Sequence, residues 1–343
     1  SLSVARPRRV GDGPGACPGS HQRAFARPDL SHPLGKFSPM LHLHAAERIG
    51  PLARELAAIL ADPPSDPFAP EWIATPSVGV RRWLRLELAR HLGGSSRGGD
   101  GVAANIVDAF PGTLRTLVLQ AGRDGDEPDP WELVRLTWTV LEVLADAEQA
   151  GEPLAPVVAP GASAYSRAPR LADLFDRYHL HRPEMVRGWA EGAGDPLLPT
   201  AQRWQPELWR RVRARLAAPS PPERLPELLQ RLRTGGLELP LPPRLSLFGA
   251  AVLPGGAGFG ELAAAVASQR ELHVFLLQPS LAAWRELRGG SAGRTGVASP
   301  VRSRSDDRTV DLLRHPLLRS WSGPTRETAV LVGDLVRSEP STV

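Results

Sequence analysis

The chain has 343 residues, 42% of them hydrophobic, which suffices for two modest domains or for one domain carrying a large insertion. It contains no uncharged apolar run of about 18 residues and no signal-peptide core, so neither a membrane span nor secretion is supported and we expect a cytoplasmic protein. The single cysteine, Cys17, excludes an internal disulfide and a cysteine-based zinc site.

Positive charge is concentrated in residues 1–39, which hold six of the 41 basic and two of the 37 acidic side chains. Residues 40–343 therefore carry 35 of each sign, and any DNA affinity there must come from local arginine placement. Rich in Pro, Gly, Ser and Arg, residues 1–39 are expected to be a disordered basic extension. Two interpretations are open: Met40 is the true translation start, or the extension is a basic arm that touches DNA.

From Met40 onward the pattern alternates between strands and helices, which predicts an α/β fold with a parallel sheet. The predicted strands are 41–45, 72–75, 103–106, 244–250 and 271–277. Helices over 49–60 and 79–92 separate the first three strands.

Residues 111–243 are helical in pattern without a convincing strand, which indicates a helical insertion into the α/β domain. The predicted helices of this segment are 111–121, 131–147, 169–180, 183–191, 200–217 and 222–234. Two more, near 310–321 and 324–337, follow a polar loop at 288–309.

The sequence argues against nucleotide binding. Lys36 is the only lysine, and its Gly35-Lys36-Phe37 context lacks the glycine spacing and the Ser or Thr of a Walker A loop. The turn Gly255–Gly260 leads from a strand into a helix, but neither GxGxxG nor GxxxxGK[ST] fits it. We interpret this turn as a flexible connection.

Two HxH pairs, His42/His44 and His179/His181, have no third ligand at a suitable sequence spacing, so we predict core or surface histidines and no metal. Asp173 and Asp176 share a helix face, a pattern more typical of a solvated or arginine-paired surface than of a Mg²⁺ site. Neither a G-x-S-x-G elbow nor an HExxH motif is present, and we predict no catalytic residue.

Several stretches, in order, resemble the RecC family, the gamma subunits of bacterial exodeoxyribonuclease V. The most specific is Leu-Ala-Asp-Leu-Phe-Asp-Arg-Tyr at 171–178 with Arg182-Pro183, similar to the family's LADLFDxY...RP motif. Trp204-Gln205-x-x-Leu208-Trp209 is similar to its WQxxLW helix. Further similar segments, which extend the resemblance over about residues 40–330, are Met40–His44, Asp66–Glu71, Ser77-x-Gly79, Trp83-Leu84, Ala103–Ile106, Phe110-Pro111, Phe248-Gly249 through Leu253-Pro254, Glu271–Leu277 and His315–Trp321.

The resemblance implies a degenerate superfamily 1 helicase-like (P-loop-like) core with a large helical insertion, and the shortage of lysine agrees with a lost motor. After the disordered basic extension that composition predicts at 1–39, it implies a first part of the helicase-like α/β domain at 40–110 (1A-like), a helical insertion at 111–243 (1B-like), and a return to the α/β domain at 244–343, truncated at the C-terminus.

The resemblance also implies a non-catalytic DNA-binding subunit of a RecBCD helicase and exonuclease in double-strand break repair by homologous recombination. Family members assemble with RecB and RecD, split a duplex end, and pass the 3′-ended strand through a channel in which the Chi signal is read. No cofactor is implied for this chain, because ATP and Mg²⁺ are used by the partner subunits, and no membrane is involved.

The positions that the resemblance places at the DNA channel are Arg82, Asp173, Leu174, Asp176, Arg182 and Arg224. Arginine can bind a phosphate or a guanine edge, and aspartate can accept from cytosine or orient an arginine. Leu174 also belongs, with Leu171, Phe175 and Tyr178, to an apolar stripe at helical spacing that predicts core packing. Departures from the family pattern, which predict a different Chi sequence or none, occur at Pro76, Val78, Arg82 and Thr116.

Two other interpretations are open. The chain is a nucleotide-binding α/β enzyme that uses the turn Gly255–Gly260, or it is a non-functional gene fragment. ATP binding lost in Gly258→Val would favour the first, and failure to co-purify with a RecB homologue would favour the second.

Overall fold

The computed structural model describes most of the chain from residue 32 to residue 338. The described residues are 32–36, 40–62, 64, 66, 68–92, 101–123, 127–152, 161–194, 198–251, 253, 258–284, 287 and 309–338. Gly255 and Gly256 of the glycine-rich turn and most of the predicted polar loop lie outside them.

A six-stranded sheet organises the fold. Its strands are β1 (His32–Lys36), β2 (Leu41–Ala46), β3 (Glu71–Ala74), β4 (Ile106–Ala109), β5 (Arg244–Ala250) and β6 (Glu271–Leu277). They lie in the order β1-β2-β6-β5-β3-β4. All neighbours pair in parallel except β1, which is antiparallel to β2. The prediction of an α/β fold with a parallel sheet is confirmed.

Most helices begin and end within a few residues of the sequence prediction. Their bounds are α1 (Ile49–Leu60), α2 (Val78–His91), α3 (Thr113–Ala121), α4 (Leu133–Gln149), α5 (Ala164–His181), α6 (Pro183–Ala190), α7 (Trp204–Leu216), α8 (Pro221–Arg233), α9 (Phe259–Ala267), α10 (Pro316–Trp321) and α11 (Gly323–Ser338), with 3-10 turns at Thr200–Gln202 and Thr309–Leu312. None of these helices is long and apolar enough to cross a membrane.

Both faces of the sheet are covered by helices, as parallel sheets require. Side chains alternate between the faces along each strand, so Trp72 and Ile73 of β3 belong to different clusters. The cluster containing Trp72 includes buried residues of α3, α8 and α9, and that containing Ile73 includes residues of α1 and α2. Helices α2 and α3 therefore belong to opposite layers.

Helices α3 to α8 follow one another between β4 and β5, and we call them the helical block. Within it, α4 to α7 build a core of their own around buried aromatic rings. Phe175, Trp189 and Trp209 are fully buried there, and Trp131 stacks on Trp209 with ring centroids 5.7 Å apart. Helices α3 and α8 instead contribute to the sheet core, so they join the block to the sheet.

Three local predictions are corrected. Strand β4 begins at Ile106, not Ala103, because Asn105 adopts a left-handed backbone (φ 55°) and donates to the carbonyls of Phe68 and Ala69. Helix α5 begins at Ala164 rather than 169, since Ser163 caps it and Pro169 lies inside it. Strand β1 lies within the segment expected to be disordered, and the backbone edge of β2 supplies its pairing.

Candidate nucleic-acid interface

Helix α5, which carries the most specific family motif, has one buried and one exposed face. Leu171, Ala172, Phe175 and His179 point into the core of the helical block and are at most 2% exposed. The opposite face carries polar side chains that are exposed or half-exposed, namely Ser166, Arg170, Asp173, Asp176, Arg177 and His181. Spacings of three and four residues align these side chains along the helix.

The predicted apolar stripe is confirmed in part. Leu171 and Phe175 are core residues, and half-buried Tyr178 packs against them while its hydroxyl donates to Gln205 Oε1 at 3.0 Å. Leu174 is half-buried and is absent from that core cluster. Of the four, Leu174 is therefore the side chain that remains available at the surface.

The two aspartates of the motif have different surroundings. Asp173 forms an i,i+4 ion pair with Arg177 on the exposed face. Asp176 faces Arg115 of α3, and although much of Asp176 is exposed, partial burial raises the pKa of its carboxyl while the charge of Arg115 opposes that rise. Arg115 thus gives Asp176 an electrostatic partner on a different helix.

Arg115 lies where the helical block meets the sheet layer. Its Nη2 donates to the carbonyl oxygen of His179 at 3.0 Å, in the last turn of α5. Burial lowers the pKa of the Arg115 guanidinium, an effect that Asp176 opposes and Arg224 reinforces. The guanidinium stays charged at neutral pH because arginine is effectively always protonated in proteins.

Arg224 lies one turn into α8 and is largely buried. Its Nη2 donates to Asp129 Oδ2 at 2.5 Å, and Arg123 approaches the other carboxylate oxygen of Asp129 at 3.7 Å. Helix α8 begins with a capping box in which the backbone N–H of Ser220 donates to Glu223 Oε2 at 2.7 Å. The cap fixes the start of the helix and hence the position of Arg224.

His179 anchors the buried side of this junction. Its Nε2 accepts a hydrogen bond from the indole N–H of Trp209 at 3.2 Å, which places the ring proton on Nδ1. Burial lowers the pKa of His179 to about 3. The ring is therefore neutral at physiological pH and acts as an acceptor within the core.

The remaining two predicted residues take no part in these contacts. Arg182 connects α5 to α6 and is exposed, and its side chain makes no hydrogen bond or ion pair with the part of the chain that the structure describes. Arg82 is exposed on α2, in the layer on the other face of the sheet. The structure thus brings Asp176 and Arg224 together around Arg115, keeps Asp173 on the same helix, and does not bring Arg82 to them.

Sequence reasoning missed Arg115 and the partners of His42. Arg115 follows the buried Leu114 on α3, but its neighbours come from α5 and α8, which lie far away in the sequence. Parallel pairing of β2 with β6 places His42 beside His273 and Glu271, so the first HxH pair does have further potential ligands nearby. No local pattern signals contacts between strands that are 229 residues apart.

The fold and the surface of α5 together define an α/β protein with a parallel sheet and a polar helix face presented by a separate helical core. Residues 41–341 match the family model described as the RecC N-terminal domain, and the chain belongs to the RecC family.

The relatives found are each called RecBCD enzyme subunit RecC. Those from Mycobacterium tuberculosis and Mycolicibacterium smegmatis are 36% and 34% identical over 84% of this chain. That from Escherichia coli is 23% identical over 80% of the chain. The chain covers 25% to 26% of the length of these three relatives, and so spans about a quarter of them.

Proposed function

We propose that this chain is the N-terminal part of a non-catalytic DNA-binding subunit in a RecBCD-type helicase and exonuclease. In this proposal it works with RecB and RecD homologues in double-strand break repair by homologous recombination. It guides the split strands, and its helical block scans the 3′-ended strand for a Chi sequence. The proposed architecture is a degenerate helicase-like core at 40–110 and 244–343, with residues 111–243 inserted as a helical domain.

The turn after β2 supports the absence of a motor. In parallel sheets, phosphates bind between the carboxyl end of a strand and the N-terminus of the next helix. Here that turn is Glu47-Arg48, and Glu47 Oε1 accepts a hydrogen bond from the backbone N–H of Leu281 at 2.9 Å. These two residues are too few for a glycine loop that cradles a phosphate, which favours a scaffold over a nucleotide-binding enzyme.

The observation that carries the proposal is the exposed face of α5 in a chain of the RecC family. Arg170, Leu174 and Arg182 offer guanidinium groups and an apolar surface to a strand, and the charge of Arg115 acts on the carboxyl of Asp176. Guanidinium groups bind phosphates and guanine edges, and carboxylates accept from cytosine N4. This combination of groups can distinguish the bases of a single strand, whereas a uniformly positive surface would only attract its phosphates.

The test uses the complete subunit, assembled with its RecB and RecD homologues. Arg182→Ala is expected to weaken binding of fluorescently labelled single-stranded DNA about tenfold, the loss of one charge-assisted hydrogen bond, and to leave ATP hydrolysis by the partners unchanged. Arg54→Ala, which removes an exposed arginine on α1, is the matched control and should leave the affinity unchanged.

Two outcomes contradict the proposal. One is an equal effect of Arg182→Ala and Arg54→Ala on DNA affinity. The other is unaltered unwinding, degradation and Chi response in the Arg182→Ala complex.

A further inference from the structure

Three histidines and two glutamates gather on the sheet face that α1 covers, a cluster separate from the α5 surface. His42 and His44 come from β2, Glu271 and His273 from β6, and Glu55 from α1. Parallel register places His42 opposite His273, and their rings stack with centroids 4.6 Å apart. Both Nε2 atoms face one oxygen, Glu271 Oε1, which is 3.6 Å from His42 and 3.1 Å from His273.

A line of polar groups continues behind His273. Its Nδ1 is 3.1 Å from Nε2 of His44, and Nδ1 of His44 is 3.7 Å from a carboxylate oxygen of Glu55. The line therefore runs from Glu271 through His273 and His44 to Glu55, with a carboxylate at each end. Each carboxylate accepts hydrogen bonds and donates none when ionised.

Counting protons along this line reveals a deficit. Favourable contacts need a proton between Glu271 and His273, another between the two imidazoles, and a third between His44 and Glu55. Two neutral imidazoles supply two protons. The third position requires one positive charge, either an added proton or a bound cation.

The surroundings of the cluster do not supply this charge as a donor. His273 is buried, and the ring of His42 covers one of its faces. The nearby cation Arg244 is not the missing donor, because its hydrogen bonds go to Glu71 and to the carbonyls of Ile59 and Asp62. Two imidazole nitrogens that converge on one carboxylate oxygen are a ligand set that a transition-metal ion accepts.

We propose that His42 Nε2, His273 Nε2 and Glu271 Oε1 form a site for a divalent transition-metal ion of the zinc class, with water as a further ligand. The three ligand atoms lie within 4.8 Å of one another. Tetrahedral Zn²⁺ at about 2.0–2.1 Å from each ligand holds them about 3.3 Å apart. Metal binding therefore requires the two stacked rings to rotate toward Glu271 until the ligand atoms reach that spacing.

The metal resolves the proton deficit. It replaces the proton between His273 and Glu271, so that Nδ1–H of His273 donates to His44 and Nδ1–H of His44 points to Glu55. His44 and Glu55 are then positioning residues, which orient a metal-bound histidine as outer-shell partners do. His42 is 21% exposed and Glu271 43% exposed, which leaves a side open for ion entry and for water.

The test is direct metal binding by the 343-residue chain after removal of bound metal with a chelator. Calorimetric titration with Zn²⁺ and visible absorption with Co²⁺ are expected to show one ion per chain, and Zn²⁺ is expected to raise the melting temperature. His42→Gln and His273→Gln are expected to weaken the affinity at least about 100-fold, and His44→Phe about 10- to 100-fold, as for loss of an outer-shell partner.

His181→Gln provides the matched control, because it removes one exposed histidine of the other HxH pair. Its affinity and its Zn²⁺-dependent rise in melting temperature should equal those of the wild type. The proposal is overturned if the wild-type chain binds neither ion, or if His42→Gln binds as tightly as the wild type. Because His42 is less buried than His273, His42→Gln still tests the proposal if His273→Gln fails to fold.

Discussion

The guanidinium of Arg115 on α3 donates to the carbonyl oxygen of His179, 3.0 Å away in the last turn of α5. A helix C-terminus carries partial negative charge, and Asp176, one turn earlier, adds a carboxylate. Arg115 therefore interacts with two negative groups of α5, by a hydrogen bond with the His179 carbonyl and by charge attraction with Asp176. Since α3 packs on the sheet and α5 belongs to the core of the helical block, this contact holds the two parts together electrostatically.

Replacing Arg115 tests this junction. Arg115→Met keeps much of the aliphatic stem but removes the charge that faces the His179 carbonyl and Asp176. We expect the free energy of unfolding, measured by urea denaturation, to fall by about 1–3 kcal/mol, the cost of leaving such groups unpaired. Arg54→Met, at an exposed position of α1, should change it by less than about 0.5 kcal/mol. Equal losses in the two variants would show that the junction contributes nothing specific.

Adjacent residues of α5 are expected to respond differently to truncation. Phe175 is fully buried among Trp189 and other core side chains, so Phe175→Ala should destabilise the chain by about 3–5 kcal/mol. Leu174 is half-buried outside that core, and Leu174→Ala should cost less than about 1 kcal/mol while weakening single-stranded DNA binding in the assembled complex. Thermal or urea unfolding separates the two effects, and a large stability loss in Leu174→Ala would contradict its surface role.

The buried, neutral His179 predicts a pH dependence of stability. Its pKa in the folded chain is lowered to about 3 from an ordinary value of 6.5, so the unfolded chain binds more protons between these values. The free energy of unfolding should therefore be fully present above pH 6.5 and fall as the pH drops toward 3, by up to about 1.4 kcal/mol per pH unit for this residue.

The measurement compares wild type with His179→Gln, whose amide can still accept from Trp209. Urea unfolding at about pH 7 and about pH 5 should show a smaller difference between the two pH values in the variant. His44 and His273 also have a lowered pKa, but they contribute equally to both proteins. An identical pH dependence in the two proteins would refute the assignment.

Local patterns sufficed to predict most of the fold. The bounds of α1, β5 and β6 match the prediction, because Leu and Ala at helical spacing and short, mostly apolar stretches mark buried elements without reference to distant contacts. The alternation of strands and helices along the chain also predicted that the sheet is parallel. Strand β1 was missed because its five residues lack an apolar pattern and pair with the edge of β2.

The chemical contacts of the sites could not be predicted in the same way. Asp173 and Asp176 look alike in the sequence, yet Asp173 pairs with a neighbour on its own helix while Asp176 faces an arginine about 60 residues away. Arg224, predicted at the channel, is tied to Asp129, 95 positions earlier. Such pairings depend on how helices and strands pack together, which local periodicity does not encode.

Strand β1, the antiparallel strand at one edge of the sheet, affects how a truncated form of this chain would behave. His32–Lys36 pairs antiparallel with β2 and so occupies backbone donors and acceptors along the outer side of that strand. A polypeptide that begins at Met40 would lack β1 and would expose the unpaired N–H and C=O groups of β2. A strand of a second molecule could then pair with them. Self-association of this truncated form would then result from the loss of β1 and would not indicate a natural oligomer.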